Sequence, residues 1–352
     1  MPLRRFTSPT LRLLDLGTVP WLQSQSIHHA VAQVFDEDTP DTLVVVRPDR
    51  PYVCVGPHQV GAALSPTAVR RSGLPVVRRR LGGGTVMVTS EQTFFVLVAH
   101  RRRLSLPSAV AHAWCLEAGV AAYRRLGVEE AVLSGLEIQG HGRKLCGSGL
   151  ASIGEASVFG GNIIHAFDAS GFVDLLRMPS GPSRAVLADE VGRQMGSVEQ
   201  SSGRRPAASR VTTALREAAE EVWGVRLVPG ELAERELAAV PEVERWLRRP
   251  DLRRANAGVA RCWKVRSGAG VLGVRLERPW RTRALVVVRE RRIAAVMADG
   301  RTPRAALDAL GELLVGASTE ELSALAARGR PFVARGDLPL LKWLSAAVRI
   351  AT

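Results

Sequence analysis

Of the 48 lysine and arginine residues in this chain, only three are lysines: Lys144, Lys264 and Lys342. Where any positive charge serves, the sequence uses arginine. A lysine therefore marks a place where a compact ammonium differs from a planar guanidinium. Lys144 stands in Gly140-His141-Gly142-Arg143-Lys144-Leu145-Cys146-Gly147-Ser148-Gly149, a setting whose glycines let backbone come close to a partner. A second cluster, Gly82-Gly83-Gly84, follows Arg78 and Arg79. Consecutive glycines expose main-chain N–H groups, and guanidinium forks beside them could hold carboxylate or phosphate oxygens. Each cluster alone has an ordinary reading, a tight hairpin for one and a solvated lysine for the other. Together they could surround a single anionic ligand. The lysine would then neutralise charge that grows in an acyl-adenylation transition state.

Familiar motifs do not account for these residues. A P-loop needs Lys-Ser/Thr after its last glycine, where Thr85-Val86 stands, and the dinucleotide fingerprint needs a third spaced glycine, where Met87 stands. Ser148 lacks the flanking glycines of a nucleophile elbow, since Cys146 and Leu150 occupy those places. The seven histidines show no metal spacing, and the adjacent His28 and His29 on a helix are expected to diverge. Cys54, Cys115, Cys146 and Cys262 form no CxxC pair, which argues against a disulfide scaffold or zinc ribbon and fits a reducing cytoplasm.

The elements that must position these residues read as α+β. Strands are expected at Leu11 to Leu16, Thr42 to Arg47 and Pro51 to Gly56, with a helix from Trp21 to Phe35 between the first two. Residues 74 to 88 read as strand, glycine turn, strand, and Phe94 to Ala99 as the next strand. A helix over 107 to 126 ends at Gly127. Short strands follow at 131 to 138, around Lys144, and at 162 to 167. Residues 193 to 210, rich in Ser, Gly and Arg, are expected to form a mobile loop, and a helix covers 211 to 223. Prolines 229, 241 and 250 mark a polar connector. Four strands between 261 and 297 begin a second unit, followed by helices at 303 to 314, 319 to 327 and 338 to 348.

A chain of 352 residues favours two domains, divided as 1–252 and 257–352. The net charge of +14 points to an acidic partner. That partner is not expected to be nucleic acid, because the arginines are scattered, aromatics are only 5% and no recognised motif appears. Apolar runs such as Phe94 to Ala99 are too short to span a bilayer, and the first ten residues lack a signal-peptide core. A soluble cytoplasmic protein without a membrane partner is the expectation.

With these residues in view, the chain resembles the lipoate–protein ligase A family of the biotin/lipoate ligase superfamily. The family's Arg-Arg-x-x-Gly-Gly-Gly-x-Val is matched by Arg78 to Val86, and its Gly-x-Lys-x-x-Gly-Ser by Gly142 to Ser148. Shorter matches lie at Leu11 to Leu14, Val53 to Gly56 and Ser197-Val198, and residues 270 to 322 resemble the family's small C-terminal domain. The resemblance implies a mixed-sheet catalytic domain with a smaller α+β accessory domain. It implies ATP and Mg2+, a lipoate carboxylate activated as acyl-AMP, and transfer to a lysine of an acidic lipoyl domain of 2-oxoacid dehydrogenase or glycine cleavage type. Lys144 would be the catalytic residue, with Arg78, Arg79, Gly82, Gly83, Gly84, Gly147 and Ser148 holding the adenylate. Asp168 could approach the metal, and residues 193 to 210 could close as a lid.

Several positions depart from the family pattern. Val88-Thr89-Ser90-Glu91-Gln92 replaces His-Asp-x-Gly-Asn, Ser134-Gly135 replaces Asn-Asp, and Gly160-Gly161 replaces His-Gly. His28-His29 stands for an acidic pair. The sister class, octanoyl transferases that use a cysteine thioester and no ATP, is the competing reading. Its cysteine positions fall on Glu129 or Ser180 here. Cys146, beside a cation, could serve as thiolate, though a small buried cysteine is the commoner case. A non-catalytic protein that binds lipoyl domains is the third reading.

Overall fold

The computed structural model describes residues 6, 8–57, 64–103, 108–176, 181–248, 261–266, 269–276, 282–298, 315–318 and 321. The first elements are β1 (Thr10–Val19), α1 (Gln23–Gln33), β2 (Thr42–Pro48), β3 (Tyr52–Val55), α2 (Pro66–Ser72), β4 (Val76–Arg78) and β5 (Val86–Val88). β6 (Gln92–His100), α3 (Ser108–Arg125), β7 (Val132–Ser134), β8 (Glu137–Gly140), β9 (Arg143–Lys144), β10 (Gly149–Ile153) and β11 (Ala156–Ile164) follow. Then come α4 (Ser170–Leu175), α5 (Gly181–Gln194), α6 (Val198–Ser202), α7 (Ala208–Trp223), β12 (Arg226–Pro229) and α8 (Glu234–Leu247). The last are β13 (Arg261–Arg266), β14 (Ala269–Leu276), β15 (Thr282–Arg289) and β16 (Arg292–Ala298).

The main sheet runs β10-β11-β6-β2-β1-β12. It is mixed: β1 is parallel to β2 and β12, and the other pairs are antiparallel. Its central strands are apolar on both faces, which is why they read as unbroken runs rather than alternations. Leu43, Val45, Phe95 and Leu97 enter one core with α3 and α7, whereas Val44, Val46, Val96 and Val98 enter another with Ile27 and Val31 of α1. α7 presents Val211, Ala214, Leu215, Ala218 and Ala219, an apolar stripe at i, i+3, i+4, i+7 and i+8, and closes on Gly224 at φ +65°.

Two small sheets carry the residues of chemical interest. One has the order β4-β3-β5 and the other β7-β8-β9. β4 lies parallel to one edge of β3 and β5 antiparallel to the other. The glycine run is therefore not the tip of a hairpin, as the sequence suggested, but a crossing over the end of β3.

By their contacts the residues group as Met1–Phe167 with Gly196–Ala255, and Asp168–Met195 with Asn256–Thr352. The expected division near residue 252 is thus joined by an excursion of 168–195 into the second unit. That unit holds an antiparallel meander, β13 to β16, with α5 packed on β13 and β14. Glu190 of α5, almost wholly buried, accepts from the Arg289 guanidinium of β15 (Nε to Oε2 3.0 Å). The β15–β16 turn has both central residues, Glu290 and Arg291, at positive φ, as a two-residue primed hairpin turn requires.

Three expectations are corrected. Residues 193 to 210 are not a loop. They hold the end of α5, then α6 capped by Ser197, whose Oγ accepts from the Gln200 N–H (3.3 Å), then the start of α7. The polar connector is mostly α8, which runs through Pro241. Proline there leaves the Leu237 carbonyl unbonded, and Leu237 is 53% exposed, so water can serve it. Glu236, Ala239, Val243 and Leu247 hold the helix down, with Glu236 bridged to Arg12 (2.5 Å). Residues 131 to 138 are a hairpin, β7 and β8, not one strand. The expected helices at 303–314, 319–327 and 338–348 lie outside the described residues apart from position 321. Among the described residues no helix is long and apolar enough to cross a membrane.

Candidate active site

The crossing of residues 79–85 is built from the chain outward. Leu81 is buried in the α1-side core, and the space for it comes from Gly160, where a Cβ would stand 2.8 Å from Leu81 Cδ2. This is a physical reason for glycine at that divergent position. Gly56, at the end of β3, lies directly beneath the crossing: a Cβ there would stand 1.9 Å from Gly83 O.

Arg79 staples the crossing from within. Its Nη1 donates to Cys54 O (3.2 Å) and its Nη2 to both Gly82 O and Gly84 O (2.9 Å each). Arg78 Nη2 donates to Pro57 O (2.7 Å). Both guanidiniums, expected to face a ligand, are thus engaged by carbonyls of their own surroundings and shape the loop. With the carbonyls turned toward Arg79, the Gly83 and Gly84 N–H groups have no hydrogen-bond partner among the described residues. Gly83 itself is exposed, at φ +95°.

Lys144 ends β9, paired with β8 so that Gln139 lies opposite it. Its main chain is held by the Gly196 N–H, which donates to Lys144 O (2.9 Å). The next residue is held by Leu145 N–H donating to Ile138 O (2.8 Å) and by Tyr123 Oη donating to Leu145 O. Tyr123 Oη in turn accepts from the Ile164 N–H (2.9 Å), tying the lysine strand to β11. A further chain of amides runs Gly147 N–H to Asn162 Oδ1 (2.8 Å), Asn162 Nδ2 to Gln92 Oε1 (3.0 Å), and Gln92 Nε2 to Met87 O (3.2 Å). It links the glycine loop after Lys144 to β5, which follows the crossing.

The two glycine clusters meet. Gly82 N–H donates to Leu150 O (3.0 Å), a Cβ on Gly149 would stand 2.7 Å from Gly82 O, and one on Gly83 would stand 3.4 Å from Ser148 O. Gly147 and Ser148 are half-buried in the same loop, where Ser148 Oγ donates to Leu136 O (2.9 Å). The lysine does not point into bulk solvent. Its side chain is 19% exposed and its Nζ lies 2.8 Å from Glu137 Oε1, itself 14% exposed.

Cys146, two residues on, is fully buried. Its Sγ accepts from the Asn162 N–H (3.3 Å), and burial pushes the thiol up to about 12 against the opposing pull of that bond and of Lys144. Cys54 and Cys115 are also buried with raised thiols, chiefly by desolvation. Asp168 is exposed and belongs to the second unit.

Sequence reasoning did not single out Glu137, Tyr123, Asn162 or the role of His29. His28 and His29 do not diverge: their ring centroids lie 4.4 Å apart, with the planes tilted by 40°. His29 Nδ1 donates to Gln25 O (2.7 Å) and its Nε2 accepts from Arg80 N–H (3.1 Å), so the neutral ring anchors the segment entering the crossing. Burial holds His29 down at about 4, and His28 and His112 are also lowered by burial. His165, paired with Thr93 Oγ1 (2.9 Å), is held down at about 4, again chiefly by burial. These rings stay neutral when folded but take up protons in the unfolded chain below about pH 6.5, the ordinary imidazole range. Stability is therefore expected to be flat from about pH 6.5 to 8, below the range in which the buried thiols would ionise on unfolding, and to fall as pH drops from 6.5 toward 4. The loss is on the order of 1.4 kcal/mol per unit for each fully shifted ring. Urea unfolding across that range measures it, and an unchanged midpoint down to pH 4.5 would contradict the assignment.

Comparison with known proteins agrees with this architecture. Residues 21–220 match the family model described as the lipoyl protein ligase A/B catalytic domain. Among curated relatives, octanoyltransferase LipM of Moorella thermoacetica is 29% identical over 271 residues, spanning 68% of this chain and 98% of the relative. LipM of Symbiobacterium thermophilum is 26% identical, spanning 64% and 90%. Among solved structures, the bi-partite lipoate protein ligase of Thermoplasma acidophilum superposes with a TM-score of 0.62 at 19% identity, over 71% of this chain and all of that one. A lipoate-protein ligase A bound with ATP gives 0.57 at 18% identity, over 67% and 94%. At such identities the structural likeness is one of fold.

Proposed function

Because the chain belongs to the lipoyl protein ligase A/B catalytic-domain family, we propose that it moves an octanoyl-type acyl group from a carrier thioester to a lysine amine of an acidic lipoyl domain. The seating of the glycine crossing against residues 148–150, just beyond Lys144, supports a site for one activated acyl carbonyl. The thioester donor is favoured by similarity to octanoyltransferases along nearly their whole length. In this reading the carbonyl oxygen lies toward the Gly83 and Gly84 amides and the Lys144 ammonium, which stabilise the oxyanion as the acceptor amine attacks. The C–N bond forms, the C–S bond breaks, the leaving thiolate takes one proton and a second proton is released. In this reading the acyl group is not carried on Cys146, whose side chain is fully buried with its Sγ turned to backbone at Gly147 and Asn162, burial pushing the thiol up to about 12. The basic chain, at +14, would speed encounter with an acidic acceptor.

One observation favours a second reading, ATP-dependent activation of lipoate: Cys54, Cys115 and Cys146 are all buried, and adenylation needs no thiol. In that reading the Gly83 and Gly84 amides and Lys144 would receive the phosphate oxygens. Among the described residues there is no cluster of three histidine, cysteine or acidic side chains that fits a metal ion, so no step is derived through magnesium.

The donor decides between them. The whole protein is incubated with a lipoyl domain and either octanoyl-acyl carrier protein without ATP, or free octanoate or lipoate with ATP and Mg2+. Acylation of the acceptor lysine, read by intact mass, is expected with the thioester alone and at an unchanged rate in Cys146→Ala. Acylation only with ATP would establish the ligase. Acceptor binding with neither donor turned over would leave a non-catalytic lipoyl-domain binder.

A further inference from the structure

We infer that Glu137 takes the proton from the attacking lysine amine, exchanging its bond to Lys144 for one to the incoming ammonium. The inference rests on the reading that this site joins an acyl group to a lysine amine, from whichever donor.

Chemistry demands such a group. The acceptor lysine, with an ordinary pKa near 10.4, arrives at neutral pH as an ammonium without a lone pair. Attack on the acyl carbonyl requires that it lose one proton, and the tetrahedral adduct must lose another. One goes to the leaving thiolate, and the other needs a carboxylate or similar acceptor beside the oxyanion site. Cys146 cannot take it, being buried with its Sγ turned to backbone at Gly147 and Asn162. Ser148 Oγ is a donor to Leu136 O. Glu137 is a carboxylate already in contact with the cation of the site.

The geometry permits the exchange without backbone motion. In the β8–β9 pair Gln139 faces Lys144, and Glu137 lies two residues away on the same face, a diagonal pair whose side chains meet. The main chain at 144–145 is fixed by Gly196, Ile138 and Tyr123, so only the lysine's flexible stem has to swing. The pair is also sheltered, at 19% and 14% exposed, whereas Arg102 and Glu37 in an ordinary surface pair are 73% and 81% exposed. Of the ionisable groups near Glu137, Lys144 is in contact with it and the Cys146 thiol lies within electrostatic reach. Across β7 it meets Ser134, and Ile138, its neighbour, turns to the α3 side, against Gly119.

The test compares nucleophiles in the full chain. For Glu137→Gln, kcat for transfer to the lipoyl-domain lysine is expected to fall about 100-fold or more, and the acidic limb of its pH profile to vanish. Glu137→Asp is expected to keep that limb. Acyl transfer to hydroxylamine, already neutral at pH 7 and needing no base, is expected to stay within a few-fold of wild type after the uncatalysed rate is subtracted. Equal losses with both nucleophiles, or full turnover with the lysine acceptor, would overturn the inference. Wild-type protein inert with both acyl donors would count first against the acyl-transfer reading, and this inference would fall with it.

Discussion

Gly56→Ala is expected to slow acyl transfer about 100-fold while leaving most of the fold intact. The new Cβ would sit 1.9 Å from Gly83 O, about half of ordinary contact distance, and the opposing atom is backbone, not the end of a flexible side chain. Relief requires the crossing to lift by more than an ångström. That would part Gly82 N–H from Leu150 O and pull the Gly82 and Gly84 carbonyls from Arg79. A displacement of that size beside reacting atoms is worth about 100-fold in rate, and overpacking costs about 1–3 kcal/mol of stability. The measurement is transfer to the lipoyl domain together with the thermal midpoint. Gly192→Ala, in α5 with nothing within 4 Å of its Cβ, is the matched control and should leave both unchanged or slightly improved. Near-normal transfer by Gly56→Ala would mean that the crossing does not frame the reacting group.

Lys144→Met is expected to lower kcat by about 10²–10³-fold, the usual loss when one oxyanion-stabilising donor is removed. Lys144→Arg should recover little of it. The guanidinium keeps the charge, but it is planar and bulky, and Glu137 would engage it as a fork. Binding of the acceptor domain should change little, because the ammonium acts on charge that develops only in the transition state. The split is read from kcat and KM with the acceptor varied. If Lys144→Arg turned over at the wild-type rate, any positive charge would do, and the compactness of the ammonium would not be the reason for lysine here.

What the sequence made legible, and what it hid, divides along range. The four strands of the second unit, α7 and the central strands were readable because their patterns are local: apolar runs, a 3.6-residue stripe, a glycine stop. Lys144 and the glycine run stood out because composition is local too. The pairing of β3 with both β4 and β5 was not readable, and so the glycine run passed for a hairpin turn. The same holds for the amide chain from Gly147 through Asn162 and Gln92 to Met87, whose members come from three separate stretches. Arg79 illustrates the limit well. Its type beside glycines suggested anion binding, but the nearest acceptors in the folded chain are the loop's own carbonyls. Glu137 had one available signal, its two-residue phase with Gln139 opposite Lys144, which becomes visible only once β8 and β9 are placed in register. Pro241 misled in the other direction, since a helix breaker at a solvent-facing position was outweighed by the buried stripe of α8.

The order of the main sheet sets a limit on how this protein can be trimmed. β1 precedes residue 21 and β12 follows residue 220, so the stretch that matches the family model contains neither. Cut to that stretch, the chain would present β2, whose residues are almost all buried in the intact protein, as a bare sheet margin. α1 would also lose α8, the helix laid against it. Such a fragment would offer an adhesive edge to its own copies and precipitate, so the smallest workable piece of the first unit runs from β1 through α8.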